Sequence, residues 1–204
     1  MVERSKVPLP LIVVARHGET EWSRSGQHTG RTDIPLTANG ERGAKLLGER
    51  VRTMQFTHVW TSPLIRASKT AELAGFTSAE AVPDMMEWDY GDVEGLTTLT
   101  YWETNPGWDL YDDGCPGGEG MMDISARADT VIARLRAVEG DVLLFSHGHF
   151  LRVLAARWLG LDPKLASAFF LSTASVGILG YEHAISRPAI RLWNDTSHLT
   201  TMPT

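Results

Sequence analysis

Arg16-His17-Gly18-Glu19-Thr20 follows directly on the apolar run Leu11 to Ala15, and His147-Gly148-His149 follows Asp141 to Ser146 in the same way. Each run reads as a buried strand whose carboxyl end delivers polar side chains and a glycine to the edge of a sheet. In α/β proteins that edge is where ligands bind. An arginine beside a histidine there points to chemistry on an anion. Arg66, just after Ser62-Pro63, and Glu87, in the stretch Glu87-Trp88-Asp89-Tyr90-Gly91, are the further charged candidates.

The elements that must position these residues alternate along the chain. A loop rich in Gly, Ser, Thr and His spans 21–35, and Thr37-Ala38-Asn39-Gly40 offers caps for a helix with Leu46, Leu47, Val51 and Met54 on one face. His58 to Ser62 reads as a short strand, and Pro63 suits the first turn of the next helix. Val82 to Thr98 lacks helical periodicity and is expected to loop over the site, and 105–120 reads as an irregular connection. Ile124, Ala128, Val131, Ile132, Leu135 and Val138 recur at helical spacing, a helix begins near Phe150, and Val176 to Tyr181 and Pro188 to Trp193 read as final strands. This alternation predicts an α/β fold of three layers, doubly wound, with a mostly parallel sheet, helices on both faces and a small loop/helix lid. One domain is expected over residues 1–204, with lid segments at about 21–35 and 88–118.

Composition narrows the partners. The only cysteine, Cys115, excludes an intramolecular disulfide and agrees with a reducing compartment. Arg4 and Lys6 precede Leu11 to Ala15, but that run is too short for a secretory signal, so a cytoplasmic location is expected. No apolar run reaches the roughly 18–20 residues of a membrane span. With 25 acidic against 19 basic residues the net charge is −6, which argues against nucleic acid or an anionic membrane as partner. An anionic substrate must therefore meet a locally basic pocket.

Four motifs stand in order: Arg16-His17-Gly18-Glu19-Thr20, Ser62-Pro63-Leu64-Ile65-Arg66-Ala67, Glu87 ahead of Tyr90-Gly91, and Ser146-His147-Gly148. With them the chain from about Leu11 to about Ala156 resembles the histidine phosphatase superfamily, in its phosphoglycerate mutase-like branch and closest to the broad-specificity acid phosphatases there. The resemblance implies a doubly wound fold, a phosphohistidine intermediate, no metal and no other cofactor. It implies that His17 is the nucleophile, that Arg16, Arg66 and His147 bind the phosphoryl group, and that Glu87 is the proton donor. It also puts Ser23, Thr29 and Gly30 in the phosphate pocket and Tyr90, Gly148 and His149 among the substrate-binding residues.

The residue types suit those roles. A histidine attacks phosphorus only through a neutral ring nitrogen, so its other nitrogen must be held by a hydrogen bond. A phosphate dianion repels nucleophiles, and a site without metal must spread its charge over fixed donors, for which arginine forks are matched. The departing alkoxide needs a proton from a carboxyl group, which then activates water in reverse. Because Glu87 must start protonated while acid protonates His17, a bell-shaped profile with an acidic optimum is expected.

Ordinary readings stay open beside these. His147-Gly148-His149 with His28 could space metal ligands, and Cys115 could be a nucleophile or a packed thiol. Glu19 could hold neighbouring backbone, Arg31 could reach a second phosphate or sit on the surface, and Trp88, Trp102 and Trp108 could wall the pocket or fill core.

Where the phosphoryl group goes depends on further cations. The cofactor-dependent mutases of the family carry a lysine after Tyr-Gly and an arginine pair in a longer insertion. Here Glu94-Gly95-Leu96-Thr97-Thr98 has threonine in place of the lysine, and Thr100 to Pro116 contains no Lys or Arg. A phosphatase acting on small phosphorylated substrates is therefore expected. A phosphoglycerate mutase-type phosphotransferase is the alternative, and a non-catalytic phosphate-binding module a third reading. A homodimer is also open, with Val176 to Tyr181 as a candidate edge strand.

Overall fold

The computed structural model describes residues 9–200, so Arg4 and Lys6, and the ends of the expected 1–204 domain, lie outside it. Its strands are β1 (Ile12–Arg16), β2 (His58–Thr61), β3 (Glu80–Ala81), β4 (Val142–Ser146), β5 (Val176–Tyr181) and β6 (Pro188–Asp195). Its helices are α1 (Glu21–Ser25), α2 (Ala38–Val51), α3 (Ile65–Leu73), α4 (Thr98–Trp102), α5 (Leu110–Asp113), α6 (Met121–Ala137) and α7 (Gly148–Trp158).

Both faces of β1 are apolar and must be covered. Val13 and Ala15, with Leu143 and Phe145 of β4, pack under Leu47 and Val51 of α2 and Ala71 of α3. Ile12 and Val14, with Val142 and Leu144, pack under Ile124 and Val131 of α6 and Leu151 and Leu154 of α7. The result is the expected three-layer, doubly wound α/β arrangement, in the strand order β3-β2-β4-β1-β5-β6.

The sheet is mostly parallel, as expected: β3, β2, β4 and β1 run one way, β5 alone runs antiparallel between β1 and β6, and β6 points the same way as β1. Val176–Tyr181 is not an edge, because β5 pairs with β1 on one side and β6 on the other; the edges are β3 and β6. The proposed dimer strand is thus already paired. In the parallel part the register sets Arg16 opposite Ser146 and Thr61 opposite Phe145. Arg16-His17, Thr61-Ser62 and Ser146-His147 therefore leave the sheet at one edge.

Local departures from the sequence reading have identifiable causes. The 21–35 segment is not all loop, because Thr20 and Ser23 exchange side-chain-to-backbone hydrogen bonds in a capping box and Gly26 ends the turn in left-handed conformation. Helix α3 starts at Ile65, two residues after Pro63; the Ser62 hydroxyl holds Leu64 N–H, and Asp33 takes the Ile65 N–H. Asp109 caps α5 inside the connection read as irregular. Helix α2 buries Leu47 and Val51, but most of its inner face is Gly40, Gly43, Ala44 and Gly48, and Met54 lies beyond its end.

That small-residue face lets α2 lie on backbone rather than on side chains. A Cβ on Gly18 would collide with Gly40 O, one on Gly40 with Glu19 O, and one on Gly48 would come within 2.6 Å of Ala74 O. Gly40→Ala is therefore expected to lower stability by about 1–3 kcal/mol, since rigid backbone must move apart. It should also displace His17, two residues away from that contact with Glu19. Urea unfolding measures the first effect, and an unchanged midpoint would count against this close packing.

Candidate active site

His17 follows β1, and its backbone N–H donates to Ser146 O across the parallel pair at 2.9 Å. The residue is 4% exposed, and its ring Nδ1 lies 2.7 Å from Gly18 O. A carbonyl only accepts, so Nδ1 carries the hydrogen and Nε2 keeps its lone pair. Burial, together with the Arg66 and Arg16 guanidinium groups, holds the His17 pKa well below that of free imidazole. The Gly18 N–H in turn donates to Thr70 Oγ1 at 3.0 Å, tying this turn to α3.

His147, fully buried, caps α7, and its ring lies 5.2 Å centroid to centroid from that of His17. Arg66 Nε donates to His147 Nδ1 at 3.1 Å, which leaves the hydrogen on Nε2, 2.7 Å from Ser62 Oγ. Burial, then Arg66, drives the His147 pKa well below its usual value, in keeping with a neutral ring.

Arg66 is itself fully buried. Its remaining nitrogens donate to Thr29 O, Gly30 O and Thr32 O at 2.9–3.1 Å. The carbonyls come from a strap held from behind by Glu94, whose carboxylate accepts the Gly30 and Thr32 N–H groups at 2.9–3.0 Å. Gly30 is required there, since a Cβ would come within 2.6 Å of Trp88 O. Arg16 is held differently. Its Nη1 donates to Leu171 O at 2.6 Å, its guanidinium lies over Gly148, and its buried Nε has no hydrogen-bond partner. An orphaned buried donor on a cation marks a place for an anion.

Glu87 completes the site. Its carboxylate accepts Trp88 N–H at 2.9 Å and, from the first turn of α7, His149 N–H at 3.1 Å and Phe150 N–H at 2.8 Å. Asp89 is instead drawn to Arg31 at 3.3 Å and Glu94 to the strap. Tyr90 packs beside it, its hydroxyl 2.6 Å from His149 Nδ1. Burial raises the Tyr90 pKa well above that of a free phenol, so the hydroxyl donates and His149 keeps its hydrogen on Nε2.

A cavity of about 290 Å³ is lined by Arg16, His17 and Glu87 together with Ser23, Gln27, His28, Thr29, Tyr90, Thr98 and His149. A larger concavity of about 660 Å³ lies against α3, walled by Ile65, Lys69 and Phe76, and touches none of them. Chemistry, not size, selects the smaller one.

The sequence from 12 to 196 matches the family model of the histidine phosphatase superfamily (branch 1). The chain belongs to that superfamily. It is 40% identical over 183 residues to an acid phosphatase of Mycobacterium tuberculosis, covering 88% of this chain and 90% of that one. It is 33% identical to a sedoheptulose 1,7-bisphosphatase of Saccharomyces cerevisiae, with 90% and 92% covered, and 32% identical to a probable phosphoglycerate mutase of Salmonella typhi, with 93% and 95% covered. A solved structure of an open reading frame from Mycobacterium tuberculosis superposes with a TM-score of 0.86 at 39% identity, covering 91% of this chain and 97% of that one.

For a histidine phosphatase, the sequence-predicted residues distribute informatively. Arg16, His17, Ser23, Thr29, Glu87, Tyr90 and His149 line the cavity, Arg66 and His147 form its buried support, Gly148 lies under Arg16, and Gly30 serves the strap. Arg31 faces Asp89 and Glu119 rather than the cavity, and Glu19 accepts from Thr37 Oγ1 at 2.7 Å at the start of α2. Trp88 and Trp108 are buried and Trp102 is half exposed; none lines the cavity. Cys115 is buried with its pKa pushed up to about 12, which leaves the thiol protonated. Among the described residues no three His, Cys, Asp or Glu side chains converge as metal ligands, and no helix is long and apolar enough to cross a membrane.

Sequence reasoning missed Gln27 and Thr98 in the wall, Glu94 behind the strap, and Arg127 and Glu119 behind Glu87. The pairing of Gln27 with Thr97, which joins the two segments around the cavity, also carried no local signal. Arg127 did carry one: it stands in α6 between the buried positions Ile124, Ala128 and Val131.

Proposed function

We propose that the chain is a metal-independent phosphomonoesterase in which His17 takes the phosphoryl group and passes it to water. The observation that carries this reading is the His17 Nε2 lone pair, set free by the Nδ1–H bond to Gly18 O, in a cavity that Arg16, whose buried Nε has no hydrogen-bond partner, also lines. Arg16 neutralises the phosphoryl oxygens from the cavity wall and Arg66 from the buried support, and the His147 Nε2–H, which Ser62 Oγ accepts in the free site, becomes the further donor by exchanging that hydroxyl for a phosphoryl oxygen. Glu87, which alone among Glu87, Asp89, Asp92 and Glu94 lines the cavity, protonates the departing alkoxide and then takes a proton from the attacking water. Ser23, Thr29, Tyr90, Gly148 and His149 shape the substrate site, with Gly30 acting through the strap.

Hydrolysis rather than transfer back to the ligand follows from charge. Among the described residues Arg16 is the only Lys or Arg lining the cavity, and none of them there clamps a carboxylate or a second phosphate. The wall of Gln27, His28, Thr98 and Tyr90 suits a small, uncharged alcohol that can hydrogen-bond. The depressed His17 pKa keeps the nucleophile neutral well into acid, which supports an acidic optimum. A mutase reading is favoured by the likeness to the Salmonella protein and to further probable phosphoglycerate mutases of Enterobacter and Klebsiella pneumoniae, and by no residue lining the cavity.

The test is to incubate the protein with p-nitrophenyl phosphate, sugar phosphates, and 3-phosphoglycerate with its bisphosphate activator, measuring free phosphate and isomerised product together. Phosphate release should dominate and survive strong chelation. Isomerisation exceeding release would overturn the phosphatase reading, and loss of activity to chelator would overturn its metal independence.

A further inference from the structure

Glu87 sits in a segment with little regular structure of its own, between a short turn at Pro83–Met85 and another at Gly91–Val93. A proton donor must nevertheless be fixed to within fractions of an ångström. Arg127, reaching across from α6, supplies that order. Its Nη1 donates to Asp84 O at 2.7 Å and to Met86 O at 2.8 Å, and its Nη2 to Glu87 O at 3.3 Å. Three carbonyls from one short segment thus converge on a single guanidinium.

The guanidinium is itself held. Nε and Nη2 each donate to one oxygen of Glu119, both at 2.7 Å, a bidentate pair with both side chains 15% exposed. Glu119 grips the far side of the same segment: its Oε2 accepts Asp89 N–H at 2.9 Å, its carbonyl accepts Trp88 Nε1–H at 2.8 Å, and its N–H donates to Asp89 O at 2.9 Å. Residues 84–89 are therefore bracketed on both sides of Glu87. Arg127 also lies 5.3 Å from the Phe150 ring, on the turn of α7 whose N–H groups hold the Glu87 carboxylate.

We infer that Arg127, locked by Glu119, is a positioning residue that sets the Glu87 carboxyl group for proton transfer to the leaving group. The inference rests on reading Glu87 as the proton donor. Arg127 touches no substrate, lines no part of the cavity, and acts through the peptide groups it holds. Lysine cannot replace it, because an ammonium group lacks the planar fork that meets three carbonyls and a carboxylate together.

A residue that only stabilises the fold would slow all substrates alike, whereas one acting through a general acid matters in proportion to how much the leaving group needs a proton. The test compares kcat/KM for an alkyl phosphate and for p-nitrophenyl phosphate, whose phenolate leaves with little help. Arg127→Lys is expected to lower kcat/KM about 30- to 100-fold for the alkyl ester and less than about 3-fold for the nitrophenyl ester, with inhibition by inorganic phosphate unchanged. Glu119→Gln, which keeps its shape, should show the same selectivity to a smaller extent and serves if Arg127→Lys does not fold. Glu87→Gln should be as selective, and adding Arg127→Lys to it should cost the alkyl ester nothing more. Equal losses on both esters, or no loss on either, overturn the positioning role while leaving Glu87 its part. An unselective Glu87→Gln instead sinks the proton-donor reading, and the positioning role with it.

Discussion

Replacing His17 with alanine is expected to abolish turnover, by about 10⁴-fold or more, and to leave no phosphoenzyme after incubation with labelled substrate. The size of the loss follows from what would remain. Arg16 and Arg66 keep their places, since Arg66 is held by Thr29 O, Gly30 O and Thr32 O and Arg16 by Leu171 O. Phosphate binding should survive, and what disappears is the covalent route. Because a phosphohistidine is labile in acid, trapping is done with an alkaline quench. The Gly18 carbonyl loses its partner, so a cost of about 1–3 kcal/mol in stability accompanies the change. Thermal unfolding separates that cost from the chemical one. A variant that folds, binds phosphate and still turns over near the original rate would remove His17 from the reaction.

The strength of that expectation owes much to what the sequence already displayed. The strand ends at Arg16-His17 and Ser146-His147 are local signals, and once both runs are read as parallel neighbours their convergence follows from sheet geometry. Legibility failed where a partner is distant and its own residue type is unremarkable. Nothing near Arg66 announces that carbonyls from residues 29–32 will hold it, since a carbonyl belongs to every residue type. Glu94 stood out only as one acid among several, and its role appears once it closes on Gly30 and Thr32. The position of β5 was misjudged for a related reason: apolar patterning shows that a strand is covered, not which strands flank it. Helix α2 was misread because glycine carries no hydrophobic signal, although Gly40, Gly43 and Gly48 form much of its buried face.

The same buried imidazoles that make the site chemically ready should make the fold acid-sensitive. His17 and His147 are both buried, and their pKa values lie well below the 6.5 of an unfolded histidine, first through desolvation and next through Arg66. For such a group the unfolded chain binds the proton and the native state does not. Stability is therefore complete above about pH 6.5 and falls as pH drops below it. Each histidine contributes a slope of about 1.4 kcal/mol per pH unit once the pH is well under 6.5, so these two together give about 3 kcal/mol per unit. His149, His28 and His198 shift in the same direction and add to it. Asp195, with its pKa lowered to about 2, adds a loss of the same sign only as pH falls below the usual carboxylate range. Against a typical total of about 5–15 kcal/mol, the histidine slope alone takes a large share between pH 6.5 and 5. Urea unfolding at pH 7.5, 6.5, 5.5 and 5.0 should show the midpoint steady between the first two and falling steeply thereafter. Inorganic phosphate should flatten the fall, because an anion beside Arg16 and Arg66 opposes the field that keeps both rings neutral. A midpoint unchanged down to pH 5 would mean that the rings take up protons without cost, and the neutral tautomers assigned to His17 and His147 would have to be abandoned.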